Sequence, residues 1–198
     1  EYAEEILHWS NVYSEKYNED IDPLLVTAIL ESETNFVSKA SYDNGDSLGI
    51  QSMRRSTGKW IARKLDERYS DWKMLDATDS GIKYAIYYIS MGYKKFRHIE
   101  HVIASYNMGF RAASRLPLED IYYKYVYRVL GRYNNYYNVL RKYNDVDKYF
   151  KNNTIHQIDR FFMKFFGSPY KTLKSFINNI IDLSDKNNVQ PDSSLFES

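Results

Sequence analysis

Apolar residues along this chain recur at three- and four-residue intervals, and strict alternation of apolar and polar positions is nearly absent. That period predicts helices and argues against an extended sheet. Ile6, Trp9, Tyr13 and Tyr17 share one face of a first predicted helix. Asp22-Pro23 reads as an N-cap followed by proline at the first helical position. It opens a second helix carrying Leu24 through Glu33. Residues 35–47 hold Gly45 and several small polar side chains, which predicts a loop or a tiny irregular hairpin. Further helices are predicted over 56–67, over 79–91 with Ile82, Ala85, Ile86 and Ile89 on the buried side, and over 98–106. Pro117 marks a break, and 121–144 predicts a long tyrosine-studded helix with Gly131 as a point of interruption.

The pattern shifts near residue 144. Ile155, Ile158, Phe162 and Phe165 form one helical stripe, which Gly167 and Pro169 end. Leu173, Phe176, Ile177, Ile180 and Ile181 form a second. Together they predict a helical hairpin. Its apolar stripes need cover, and its polar faces carry both signs of charge, so it is expected to pack on the main domain rather than lie on a membrane. The expected organisation is therefore an all-α fold with at most a tiny β element. One helical domain spans 1–144, a packed helical extension spans 145–184, and a flexible tail spans 185–198.

Composition narrows the function classes. At 43% hydrophobic the chain is globular rather than disordered. It has no apolar run long enough for a transmembrane helix. The net charge is +1 with both signs interspersed, unlike the basic stripe of a nucleic-acid binder. There are no cysteines, which excludes disulfides, thiolate metal sites and thiol nucleophiles. His98 and His101 stand at i, i+3 without a third ligand nearby, and the glycines form no phosphate-binding fingerprint, so neither metal nor cofactor is expected. The chain opens without a basic and apolar leader, which leaves a cytosolic protein and a processed exported one both open. Twenty tyrosines supply rings and hydroxyls of the kind that bind sugars; the plainer reading is that they fill half-buried helix positions.

The second helix holds the informative carboxylate. At roughly 100° per residue, Leu25, Val26, Ile29 and Leu30 define an apolar arc with Glu33 near its centre, while Thr27 and Glu31 fall on the opposite side. Glu33 is thus expected to face the core side and Glu31 solvent. Desolvation, and the negative end of the helix dipole, would favour protonated Glu33, the form a general acid needs. The alternative is a helix that ends earlier and leaves Glu33 an ordinary solvated carboxylate.

The stretch from Asp22-Pro23 to Glu33-Thr34-Asn35-Phe36 resembles the opening motif of the soluble lytic transglycosylase family, within the lysozyme-like, goose-type superfamily. That motif runs Asp-Pro, aliphatics, then Glu-Ser-x-Phe. Glu31-Ser32 matches Glu-Ser by letter but lies two residues short of the spacing. Ser47 to Met53 resembles the Gly-Leu-Met-Gln segment, with Gln51 falling 18 residues after Glu33. Ala104 to Gly109 is similar to Ala-Tyr-Asn-x-Gly, and Leu116-Pro117 with Tyr125-Val126, Val129 and Tyr133 to the closing segment. Two departures stand out: Thr34 replaces the serine, and Ile121 and Tyr122 occupy places where the family has Glu-Thr.

The resemblance covers about residues 20–140 and implies a lysozyme-like fold and a peptidoglycan substrate. It implies cleavage of the MurNAc–GlcNAc bond without water, giving 1,6-anhydroMurNAc ends. Glu33 would be the single acid/base, with Thr34, Gln51, Met53, Tyr106, Asn107 and Tyr125 contacting or orienting substrate. It also implies a place in the periplasm or cell envelope, where the extension could meet an envelope protein. Two other readings stand beside it. A goose-type muramidase would use Asp43 or Asp46 as a second carboxylate, roughly 6.5–9.5 Å from the acid. A non-catalytic wall-binding or envelope-assembly module would bind glycan and release nothing.

Overall fold

A computed structural model describes residues 2–141. In chain order these form α1 (Tyr2–Tyr17), α2 (Pro23–Thr34), β1 (Ser47–Leu48), β2 (Met53–Arg54), α3 (Arg55–Lys64), α4 (Asp71–Leu75), α5 (Ile82–Lys95), α6 (Ile99–Met108), α7 (Phe110–Ala113) and α8 (Lys124–Arg141). The architecture is helical with one two-stranded element, in keeping with a lysozyme-like domain.

Helix α2 runs through the middle. Asp22 caps it in extended geometry and accepts from the Leu24 backbone N–H at 2.8 Å, with Pro23 in the first turn. Helices α1 and α8 both pack against it. Every residue from Pro23 to Ser32 is buried. This corrects the expectation for Glu31 and Thr27. A helical wheel assumes one face in water, and α2 has none along this length. Thr27 returns its hydroxyl to the Pro23 carbonyl at 2.8 Å, as a buried hydroxyl in a helix can. Glu31 is buried and meets Arg132 and Tyr136 of α8. The helix reaches Thr34, so Glu33 lies within its last turn and is half-buried. Asn35 then takes a left-handed conformation, φ 51°, and its N–H caps the Glu31 carbonyl at 2.9 Å.

The hairpin that follows is small. Ser47 pairs with Arg54 and Leu48 with Met53, antiparallel. Gly49 at the turn has φ +73°, and a Cβ there would stand 2.5 Å from the Met74 carbonyl oxygen, so only glycine fits. Against α1 lies α5, joined through Tyr13 and Tyr87 edge to face with ring centroids 5.5 Å apart. Ile82, Ala85, Ile86 and Ile89 are buried as the periodicity predicts.

Three differences from the sequence reading have simple causes. α4 and α7 span five and four residues, too short for a hydrophobic period to register. Residues 77–81 form a π-helical turn ahead of α5, capped by the Asp76 carboxylate on the N–H groups of Thr78 and Asp79. Helix α8 passes Gly131 without interruption, because that glycine is buried in the packed helix. The predicted hairpin over 145–184 and tail over 185–198 lie outside the described residues. Among the described residues, no helix is long and apolar enough to cross a membrane.

Candidate active site

Five polar contacts tie α2 and its two caps to α8. Tyr133 donates to Asp22 Oδ2 at 2.6 Å, Tyr136 and Arg132 close on Glu31, Arg132 Nη2 reaches Asn35 Oδ1 at 3.4 Å, and Tyr125 donates to Glu33 Oε1 at 2.5 Å. Burial raises the Asp22 carboxyl above the usual carboxylate range, partly offset by the Tyr133 hydroxyl and the Leu24 and Leu25 N–H groups. The Glu31 group has charge and hydrogen-bond partners, as a buried carboxylate requires. Glu33 differs from both, because it stands at the wall of a cleft.

That cleft encloses about 310 Å³. On the hairpin side its walls are Ser47, Gln51, Ser52, Met53, Arg54 and Thr57; on the helical side they are Tyr88, Tyr106, Asn107, Met108 and Gly109. Ser52 at the turn is held at φ 45°, a strained backbone for a residue other than glycine, and it faces this space. A ring contact builds the far wall: Tyr88 stacks on Phe110 at 4.5 Å and meets Tyr106 edge-on at 5.8 Å.

The residues expected from the sequence fall in three groups. Glu33, Met53, Tyr106 and Asn107 line the cleft. Tyr106 donates to the Gln51 backbone carbonyl at 3.0 Å, pinning the hairpin turn to α6. Tyr125 stands behind Glu33, buried, with its hydroxyl on the carboxylate. Thr34 and the Gln51 side chain are committed elsewhere. Thr34 Oγ1 donates to the Ile50 carbonyl at 2.6 Å and so fastens the end of α2 to the hairpin. Gln51 lines the cleft, yet its side chain is 0% exposed and its amide donates to the Met74 carbonyl at 3.0 Å. A Cβ built on Gly49 would sit 2.4 Å from Gln51 Oε1, and one on Gly81 3.0 Å, so the amide is wedged between two glycines. Its placement suits holding the turn rather than holding a sugar. Asp46 is exposed and faces Arg54 at 3.7 Å.

Electrostatics around Glu33 favour neutral donors. Burial and the nearby Glu33 charge hold the Tyr106 and Tyr125 phenols well above the usual tyrosine range. The same two causes push Tyr123 up to about 12. All three keep their hydroxyl hydrogens at neutral pH and can donate. Sequence reasoning did not single out Tyr123, which donates to Asn107 Oδ1 at 3.1 Å and stacks on Tyr125 with centroids 6.3 Å apart. Nor did it single out Tyr88, Arg54 or Thr57. Arg54 carried a usable signal, since it follows the Gln51 to Met53 segment directly.

The family model for the Transglycosylase SLT domain matches residues 10–117, more than half of the chain. The chain belongs to that family. No curated protein and no solved structure matches it. The matched segment includes Glu33, the hairpin and the Ala104–Gly109 segment, and stops short of Tyr125. Membership is consistent with a lytic transglycosylase type of activity on peptidoglycan. Within this soluble lytic transglycosylase domain no group of three or more His, Cys, Asp or Glu is placed to hold a metal ion among the described residues. His101 instead hydrogen-bonds the Leu116 carbonyl at 3.1 Å and stacks on Phe96.

Proposed function

We propose that the chain cleaves the MurNAc–GlcNAc β-1,4 bond of peptidoglycan without water, leaving 1,6-anhydroMurNAc ends, with Glu33 as the single acid/base. The observation that carries this reading is the Tyr125 hydroxyl donating to Glu33 Oε1 at 2.5 Å, with Glu33 at the wall of the cleft. Among the described lining residues Glu33 is the one carboxylate. One carboxyl suffices if it moves two protons. Glu33 first protonates the glycosidic oxygen as the bond to C1 breaks, and the substrate's own 2-acetamido group stabilises the developing positive charge. Glu33, now a carboxylate, then takes the proton of the muramic C6 hydroxyl as that oxygen closes on C1. Tyr125 orients the carboxyl. Tyr106, Asn107 and Met53 line the path of the glycan, while Gln51 and Thr34 hold the hairpin that forms the opposite wall. The periplasm or cell envelope, where peptidoglycan lies, is the proposed place of action.

Digestion of purified peptidoglycan with mass analysis of the fragments tests this. Anhydro ends are expected, lighter by one water than reducing ends, and Glu33→Gln is expected to lower the rate about 10²–10⁴-fold with the fold intact. Reducing ends would turn the reading to a hydrolase, whose second carboxylate would have to be Asp43 or Asp46. Glycan binding with no fragment released at all would turn it to a wall-binding module.

A further inference from the structure

Among the described residues, the cleft wall contains two charged side chains, Glu33 and Arg54. The first has a role in the proposed reaction and the second has none. We infer that Arg54 is a specificity-determining residue that binds a carboxylate carried by the glycan strand. The inference rests on the proposed function, since it places the strand in this cleft.

Two neighbouring arginines make the contrast. Arg55 is engaged: its Nε donates to Asp71 Oδ2 at 2.9 Å, and Tyr69 braces the same carboxylate from the other side at 2.7 Å. Arg54 is held loosely. Its nearest carboxylate is Asp46 at 3.7 Å from Nε, with the two side chains 67% and 60% exposed. An ion pair so exposed contributes about 0–1 kcal/mol and exchanges readily. A guanidinium offers five N–H donors in a planar fork matched to a carboxylate, and a contact through Nε leaves donors of that fork for another one. Arg54 also stands at the N-cap of α3, and Thr57 of the first turn lines the same cleft. The partial positive charge of a helix start therefore has the same sign as the guanidinium beside it. Asp46 acts as a resident carboxylate that the strand's carboxylate displaces.

Peptidoglycan offers that group in two places. A strand stripped of peptide bears a free lactyl carboxylate on each muramic acid. In a peptide-bearing strand the lactyl group is amide-linked, and the carboxylates lie on the stem.

The test uses four substrates: stripped strands and peptide-bearing strands, each with carboxylates free or converted to methylamides. The protein is expected to cleave at least one free-acid strand about tenfold faster, as kcat/KM, than its amidated counterpart. Which pair shows the preference identifies the lactyl or the stem carboxylate. Arg54→Gln should bring that ratio to near one, and Arg54→Lys should leave an intermediate ratio. Asp46→Asn, which removes the resident competitor, should raise it. A wild-type ratio retained in Arg54→Gln would overturn the inference, as would the absence of any preference in the wild type. Equilibrium binding of the same four strands to Glu33→Gln, with and without Arg54→Gln, reads the preference independently of cleavage. If no strand is cut, the proposed reaction fails, and the binding ratio alone decides the role of Arg54.

Discussion

Glu31 and Glu33 stand two residues apart on α2, and α8 meets them with different chemistry: Arg132 and Tyr136 close on Glu31, while Tyr125 donates to Glu33. Glu31 is sealed in the interface and Glu33 is left at the edge of a cleft. The same residue type on the same helix is thus locked into the packing in one case and left at an open cleft in the other.

Removing the Glu31 charge should therefore be a stability mutation. Glu31→Gln leaves Arg132 facing an amide that cannot neutralise it, in a site with little water. We expect a loss of about 2–3 kcal/mol, and a melting temperature lowered by about 2–4 °C for each kcal/mol. Activity per folded molecule should remain close to wild type. Thermal unfolding together with peptidoglycan digestion below the transition separates the two effects, and an unchanged melting temperature would contradict the buried pair.

Tyr125→Phe keeps the ring and removes the donor. The ring fills a buried site, so folding should be retained. A hydrogen bond to an ionised carboxylate is worth about 1.5–3 kcal/mol, which corresponds to about 10–100-fold in rate. The loss should appear in kcat with little change in KM, because the hydroxyl meets Glu33 rather than the glycan. A loss confined to KM would place Tyr125 on the substrate instead.

Alkaline pH should unfold the domain through its tyrosines. The phenols of Tyr84 and Tyr123 are raised to about 12, and those of Tyr13, Tyr69, Tyr93 and Tyr133 higher still, with burial the first cause in each. Each binds its proton more tightly folded than unfolded. That stabilisation is complete below pH 10, the ordinary tyrosine value, and is lost as pH rises through the folded values. Phenolate absorbance and helical circular dichroism followed together from pH 9 to 13 should show a late cooperative step in which both change. Smooth ionisation near pH 10 with the helical signal intact would count against it.

Gly49→Ala should be severely destabilising. The new Cβ would stand 2.4 Å from Gln51 Oε1 and 2.5 Å from the Met74 carbonyl, on a backbone at φ +73°. Strain and overpacking together should cost about 2–4 kcal/mol. Gly109→Ala is the control, with a similar φ of +84° and nothing within 4 Å of the added carbon. Denaturant melts of the two variants should differ clearly, with Gly49→Ala the weaker protein.

How far the sequence alone reached can be followed residue by residue. Glu33 was legible because its distance from Asp22-Pro23 is set by a local device, an N-cap and a helix of fixed rise. The positions of Tyr106 and Asn107 at the cleft were legible from the Ala104–Gly109 motif and its order along the chain, and a helix end beside a glycine alone would not have singled them out. The setting of Glu31 was not, because it depends on α8, whose arrival on the far side of α2 has no local sign. Arg132 and Tyr136 were invisible among many similar arginines and tyrosines until packing selected them. Gln51 shows the opposite gap: the position was found, but its burial between Gly49 and Gly81 is a matter of tertiary closeness that spacing does not encode.

The long reach of α8 has a consequence for when the site comes into being. The bonds from Asp22 to Tyr133, Glu31 to Tyr136 and Glu33 to Tyr125 close over 111, 105 and 92 residues. A chain leaving the ribosome delivers α2 first, with its buried carboxylates unmatched. The helix that completes them is the last of those described to emerge. Contacts so distant in sequence form late, because the intervening loop must be ordered before they can hold. The carboxylate at the cleft therefore stands unbraced at first, and gains its hydroxyl partner only when synthesis has passed the helix that carries Tyr125.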